Sequence, residues 1–350
     1  MRTHVEETGM IRSRLLSIAL AFLCTVATAQ AQTAITSITT TTTDARNTTV
    51  NGVTFDNTTV ALSTFSDSSG NSYTYSSTGV AAYVRRNNSY ADANQTSAWY
   101  AVDPNDSSRM LGTYSTTASS LLLGNNLTRG SDNTFANGTS AQQGNIERVD
   151  FILNNKGVTA TSDMAFAVFD RGDVGVHDGF KIVLITGFNA TTGQVTAYSS
   201  LLLSATSASY GSTNVTGDAT YDLYRYSNGN NLSSWDDNTE SSTQGIGGVV
   251  FNLSDFGVAA GTTIYGYSIV AADTTTGGST SNLIDWTNSN YYPTDTSDAT
   301  GTTGLDLAAV NGVLFHRSPV PEPSTYGAGL VGAALIVLIA RRRHQTGRPA

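Results

Sequence analysis

Short β-prone runs separated by Asn-, Asp-, Ser- and Gly-rich turns fill the chain from about residue 80 onward. They are Val80 to Val84, Ala98 to Val102, Arg148 to Leu153, Met164 to Phe169, Phe180 to Thr186, Val195 to Leu203, Tyr221 to Tyr226, Gly248 to Leu253, Thr262 to Ala271 and Val313 to Phe315. Several alternate apolar with polar positions, notably Asp222 and Arg225 among aromatics, and Tyr265, Tyr267 and Ile269. Such alternation marks half-buried antiparallel strands, and the intervening clusters supply turns. No body segment keeps a 3.6-residue apolar period over three turns. The pattern predicts an all-β protein, an antiparallel β-sandwich of jelly-roll-like kind with long polar loops.

Composition divides this body only weakly. Thr39 to Thr43 is an unbroken threonine run inside residues 32–49, read as a spacer or edge strand ahead of a β-domain spanning residues 50–316. Residues 125–145 are mostly Asn, Gly, Ser, Thr and Gln, either a linker or, as favoured here, a long loop in one domain. No fixed-period repeat points to a solenoid or propeller.

The two ends carry a different pattern. Arg12 and Arg14 precede the apolar stretch Leu15 to Val26, followed by Ala27-Thr28-Ala29-Gln30-Ala31. This is the layout of a signal peptide over residues 1–31, with cleavage after Ala29 or Ala31 by signal peptidase. At the other end, Val320-Pro321-Glu322-Pro323-Ser324 is followed by the uncharged run Gly327 to Ala340 and by Arg341-Arg342-Arg343. The run spans roughly 21 Å as a helix, short of the roughly 30 Å hydrocarbon core. A short transmembrane helix over residues 326–340 therefore suits a temporary anchor, with the basic end, residues 341–350, held on the cytoplasmic side. Pro321 and Pro323 deny the motif both helix and sheet pairing, which leaves it extended for a processing enzyme.

The motif, the apolar run and the arginines, in that order, resemble the PEP-CTERM sorting domain of Gram-negative bacteria, with the tail covering residues 317–350. The resemblance implies recognition by an exosortase, a membrane cysteine transpeptidase, acting near Pro321, Glu322 and Pro323. It implies release to the cell surface or extracellular matrix after transient anchoring in the inner membrane, in a setting rich in extracellular polysaccharide. It implies nothing about the body.

Charge and residue inventory narrow the body's chemistry. The chain carries a formal charge of −9 and one cysteine, Cys24, within the signal segment. The mature domain can use neither disulfides nor thiol catalysis, and its acidic surface does not seek nucleic acid. The roughly 280 residues between the end signals suffice to bury a sizeable core. Within them His177 and His316, both read as loop residues, are the only imidazoles, and no G-x-S-x-G elbow is present. Asp236, Asp237 and Glu240 beside Trp235 are the best acidic group for a sugar-cleaving site, and a solvated loop accounts for them more simply. No catalytic residue is assigned, and the protein is read as a non-enzyme.

Asp170 to Gly179 is the one segment whose composition suits a cation. Asp170, Asp173 and Asp178 with three glycines offer the oxygen ligands calcium takes, without the EF-hand spacing; a plain hairpin loop is the simpler reading, and no other cofactor is expected. The embedded Arg171-Gly172-Asp173 triplet is too short to carry an adhesion argument. The sequence therefore predicts an exported structural or adhesive protein. Its first rival is a carbohydrate-binding module stacking sugars on Trp99, Trp235, Trp286, Tyr291 and Tyr292. Its second is a polysaccharide hydrolase.

Overall fold

The computed structural model describes residues 32–43, 47–50, 53–86, 98–103, 105–112, 114, 117–136, 146–173, 176–210, 215, 221–226, 235–293 and 304–319. The chain separates into Met1–Gln30 and Ala31–Ala350, and every described element belongs to the second unit. The predicted signal cleavage sites, the predicted sorting motif and the helix predicted at 326–340 lie outside the described residues. Among those described, no helix is long and apolar enough to cross a membrane.

Twenty-one strands run through the described residues. The first nine are β1 (Thr33–Thr43), β2 (Thr48–Val50), β3 (Val53–Asp56), β4 (Thr59–Asp67), β5 (Ser72–Thr78), β6 (Ala81–Arg86), β7 (Ala98–Asp103), β8 (Asp106–Leu111) and β9 (Arg129–Ser131). Then come β10 (Ile146–Ile152), β11 (Val158–Thr159), β12 (Met164–Asp173), β13 (Phe180–Asn189), β14 (Gln194–Tyr198) and β15 (Leu203–Ala205). The last are β16 (Tyr221–Tyr226), β17 (Trp235–Asn252), β18 (Thr263–Ile264), β19 (Gly266–Ala271), β20 (Leu307–Ala308) and β21 (Val313–Arg317). One short helix, α1 (Ala118–Leu122), is capped by Thr117, whose side chain accepts from the Ser120 amide.

The all-β class expected from the alternation holds, and the pairing is antiparallel throughout except between β3 and β8. The strands β17, β1, β4, β5, β21 and β12 pair in that order, and β12 pairs β17 in turn, so six strands close on themselves. At the other end of the same β12/β17 ribbon, β16, β7, β9 and β20 complete a second closed circuit. Closure removes, for these strands, the unpaired edges that an open sheet must otherwise shield. A second sheet runs β14-β13-β19-β10-β6, with β15 also on β13.

Side-chain alternation on the ribbon serves two cores. Ala165, Ala167 and Phe169 of β12, with Ile246 and Val250 of β17, point into the barrel and meet Ile35, Leu62, Phe65, Tyr73 and Phe315. The intervening Phe166, Val168, Val249 and Phe251 point outward and pack on Val149, Phe151, Ile182, Leu184, Tyr267 and Ile269 of the second sheet. A ribbon buried on both faces needs apolar residues in succession, which is why Met164 to Phe169 reads as a continuous run. On β1, Ile35 and Ile38 share the barrel face despite their odd spacing because a register shift lies between Ile35 and Ser37.

Two open alternatives are settled for the described residues, and one expectation changes. The threonine run takes the strand alternative rather than the spacer: Thr39–Thr43 ends β1 and pairs with β4 from Thr39↔Thr64 to Thr43↔Thr59, while β17 pairs only at Thr33 and Ala34, so the β unit begins at Thr33 rather than at residue 50. Residues 125–136 are no linker, since Leu62 donates to the Asn125 carbonyl, Leu127 donates to that of Val60, and Leu127 and Thr128 are buried; residues 137–145 lie outside the description. Strand β19 is buried on both faces rather than half-buried, because the chain from 272 to 293 folds back over its outer side.

Candidate functional site

Three polar groupings stand out, and the first holds the segment nominated for calcium. Asp170, on β12, is fully buried. Its Oδ1 accepts the Asp306 amide at 2.8 Å, and its Oδ2 accepts the Asp178 amide at 2.9 Å and faces His177 Nδ1 at 3.2 Å. Burial raises the Asp170 carboxyl above the usual range, against the opposing pull of His177. The side chain thus clamps two returning loops by their backbones. Asp178 packs against Gly304, at 3.0 Å from where a Cβ would stand, and the Asp173 side chain lies outside the description. Among the described residues no three His, Cys, Asp or Glu side chains gather closely enough to hold a metal ion.

Beside this clamp, Arg171 projects into the barrel, fully buried, with Nη2 donating to Asp132 at 2.7 Å and to Asp306. Its guanidinium carbon lies 5.2 Å from the centre of the Trp99 ring. Burial holds the Asp306 carboxyl well above its ordinary value, against Arg171. An arginine so enclosed cannot present Arg171-Gly172-Asp173 to a partner. Of the two histidines read as loop residues, His177 does lie in the loop between β12 and β13, buried against Tyr210 with ring centres 4.8 Å apart, whereas His316 sits on β21 with Nδ1 2.8 Å from Asp163.

The second grouping lies on the outer face of the six-stranded sheet, where alternation alone would have put solvent. Asp150 of β10 is wholly buried between Arg148 and Arg85, at 2.7 Å from each Nε, and accepts the Ser268 hydroxyl at 2.6 Å. Burial by itself would raise the Asp150 carboxyl, but the two guanidinium groups and their hydrogen bonds hold it below the usual range. Trp286 covers both arginines, its ring centre 5.0 Å from Arg85 and 5.1 Å from Arg148. Arg148 also donates to the carbonyls of Leu283 and, at 3.2 Å, Ile284, while the Tyr292 hydroxyl donates to Leu283 at 2.8 Å. The charged knot therefore fastens the segment from 272 to 293 across the sheet.

The fastened segment creates the third feature. Between its loop 274–281 and the chain at 196–202 lie two adjoining open cavities of about 400 and about 300 Å³ that share Ser200, Gly278 and Thr280. Their walls are mostly hydroxyl-bearing, and Lys181 is the one charged residue among them. Lys181 Nζ donates to the Thr274 carbonyl at 2.6 Å, and burial lowers its ammonium pKa although Asp273 opposes this. The groove was not read from sequence, because its two walls come from distant loops whose Ser/Thr/Gly composition looks like any turn.

Of the aromatics nominated as sugar platforms, Trp99 and Tyr292 are buried and cannot stack on a ligand; both were drawn into cores. Trp286 and Tyr291 are half-buried against Val183, Val270, Leu283 and Tyr292 and are not among the groove's lining residues, and the side chains of Trp235, Asp236, Asp237 and Glu240 on β17 lie outside the described residues. No family model matches the chain, and neither a curated protein nor a solved structure matches it.

Proposed function

We propose that this chain is an exported, non-catalytic β-protein that serves as a structural or adhesive element of the cell surface or extracellular matrix. In this reading the barrel and the second sheet act as the layers of a jelly-roll-like sandwich, delivered by the signal segment and sorted through the tail at residues 317–350. Signal peptidase and an exosortase-like transpeptidase are its processing partners.

One observation carries the reading. The last strand, β21, ends at Arg317, whose amide donates to Asp163 at 2.7 Å, and Ser318 donates to Ser72 at 2.8 Å. Pro321-Glu322-Pro323 begins four positions beyond that strand, so cleavage there removes no described element of the fold. At the other end β1 starts at Thr33, just after the predicted signal cleavage at Ala29 or Ala31. Both predicted processing points thus lie, in sequence, just outside the described β unit, which supports the reading. The buried carboxylates described above are bound to arginines or to backbone amides, which suits a structural body better than a hydrolase.

The test replaces Pro321, Glu322 and Pro323 with alanine in the native host and follows the protein through membrane and medium fractions. The uncleaved variant is expected to stay in the inner membrane. Normal trimming and release of the variant would end the sorting reading.

A further inference from the structure

We propose that the groove between loops 196–202 and 274–281 binds a neutral polysaccharide chain, an inference that rests on the matrix reading and names the ligand class of its adhesive face. The combined volume suits a small ligand or a short stretch of polymer. Hydroxyls such as those of Thr196, Ser200 and Ser281 both donate and accept, which matches the donor and acceptor character of sugar hydroxyls. No carboxylate lines the walls, and a molecule of net charge −9 disfavours a polyanion.

The groove is also held in shape before any ligand arrives. Thr280 donates to the Ser199 carbonyl at 2.7 Å, Asn282 donates to that of Thr276 at 2.9 Å, and the Thr275 amide donates to Tyr291 at 3.0 Å. Gly277 and Gly278 adopt φ of 56° and 99°, and a Cβ on Gly277 would stand 2.7 Å from the Tyr291 ring. The half-buried Tyr291 thereby braces Gly277, one position before the glycine that both cavities share, and holds that loop in its open shape. Prior ordering of this kind lowers the entropic penalty of binding. On one wall, the Thr274 hydroxyl is enclosed without a hydrogen-bond partner, so the protein leaves bonding capacity unused at this spot.

The test is isothermal titration of the full chain, held in a detergent without sugar headgroups, against cellohexaose, xylohexaose and mannohexaose, with an alginate hexamer as the anionic probe. Saturable binding to at least one neutral hexasaccharide is expected, in the millimolar range or tighter. Ser200→Tyr, which fills the groove from an exposed loop position, is expected to weaken it at least tenfold, and Ser281→Tyr to act likewise as an independent plug. Absence of saturation with all three neutral probes, equal binding by both plugged variants, or preference for alginate would overturn the proposal. None of these outcomes alters where the protein is found in the cell, so the matrix reading stands or falls separately.

Discussion

The guanidinium carbon of Arg148 lies 5.1 Å from the centre of the Trp286 ring, and this pair joins strand β10 to the segment that covers it. Both residues depend on Asp150, which is fully buried and bridges Arg148 to Arg85. Burial would lower the Arg148 pKa, and Asp150 reverses that and holds the guanidinium firmly charged. Removing one partner of a buried ionic group strands the others.

Asp150→Ala is therefore expected to cost about 3–5 kcal/mol, measured by urea unfolding. Asp150→Asn, which keeps an oxygen for the Ser268 hydroxyl, should cost less. Loss of under 1 kcal/mol in Asp150→Ala would mean that the covering segment is held by its apolar contacts alone.

The barrel interior yields a packing test. A Cβ on Gly248 would stand 2.8 Å from both Ile35 Cδ1 and Phe169 Cε1, so three strands close on a position with no room for a methyl group. Gly248→Ala is expected to destabilise by about 1–3 kcal/mol through overpacking. Adding Ile35→Val removes one of the clashing atoms, and the double variant should recover part of the loss in a thermodynamic cycle. Strict additivity would contradict the contact.

Stability should depend on pH through Asp255. Burial pushes its carboxyl up to about 6, although its Oδ2 accepts the Asn252 amide at 2.7 Å. The unfolded value is about 3.9, so the folded state holds this proton more tightly. The resulting stabilisation is complete at pH below the unfolded value and is lost as pH rises through the folded one. Asp255→Asn keeps an acceptor for Asn252 and removes the titration. Its stability relative to the native chain should therefore rise between roughly pH 4 and pH 6.5, read from urea midpoints across that range. A difference that stays constant with pH would contradict the assignment.

Much of this fold is legible in the sequence, and the failures share a cause. Runs such as Met164 to Phe169 and Phe180 to Thr186 announce strands because burial on one or both faces demands apolar β-formers. Strands β1, β4 and β5 are barrel strands whose Thr- and Ser-rich surface face dilutes the signal, leaving only Ile35, Ile38, Leu62, Phe65 and Tyr73 as inward markers. The segment at residues 170–179 was marked by its carboxylates, yet a sequence cannot say whether a carboxylate meets a cation or a backbone amide. Asp170 meets amides. The knot around Asp150 was hidden because Arg85, Arg148 and Trp286 are brought together only by strand register and by a loop returning from far along the chain.

The position of β21 gives a truncation test. A chain ending at Pro319 retains Val313, Leu314 and Phe315 and should match the mature protein's stability within about 0.5 kcal/mol, as surface changes do. A chain ending at Gly312 loses those three buried residues and opens the ring between β5 and β12, and it should fail to fold cooperatively. A stable product from the shorter chain would show that β21 is not needed for closure.

The most direct measurement of the central claim is the intact mass of the protein recovered from its native host, taken separately from membranes and from culture medium. The account predicts a released species that begins just after Ala29 or Ala31 and ends within Pro321 to Ser324, with any attached group visible as added mass. A membrane species that still carries Arg341 to Ala350, with no trimmed form in the medium, would contradict it.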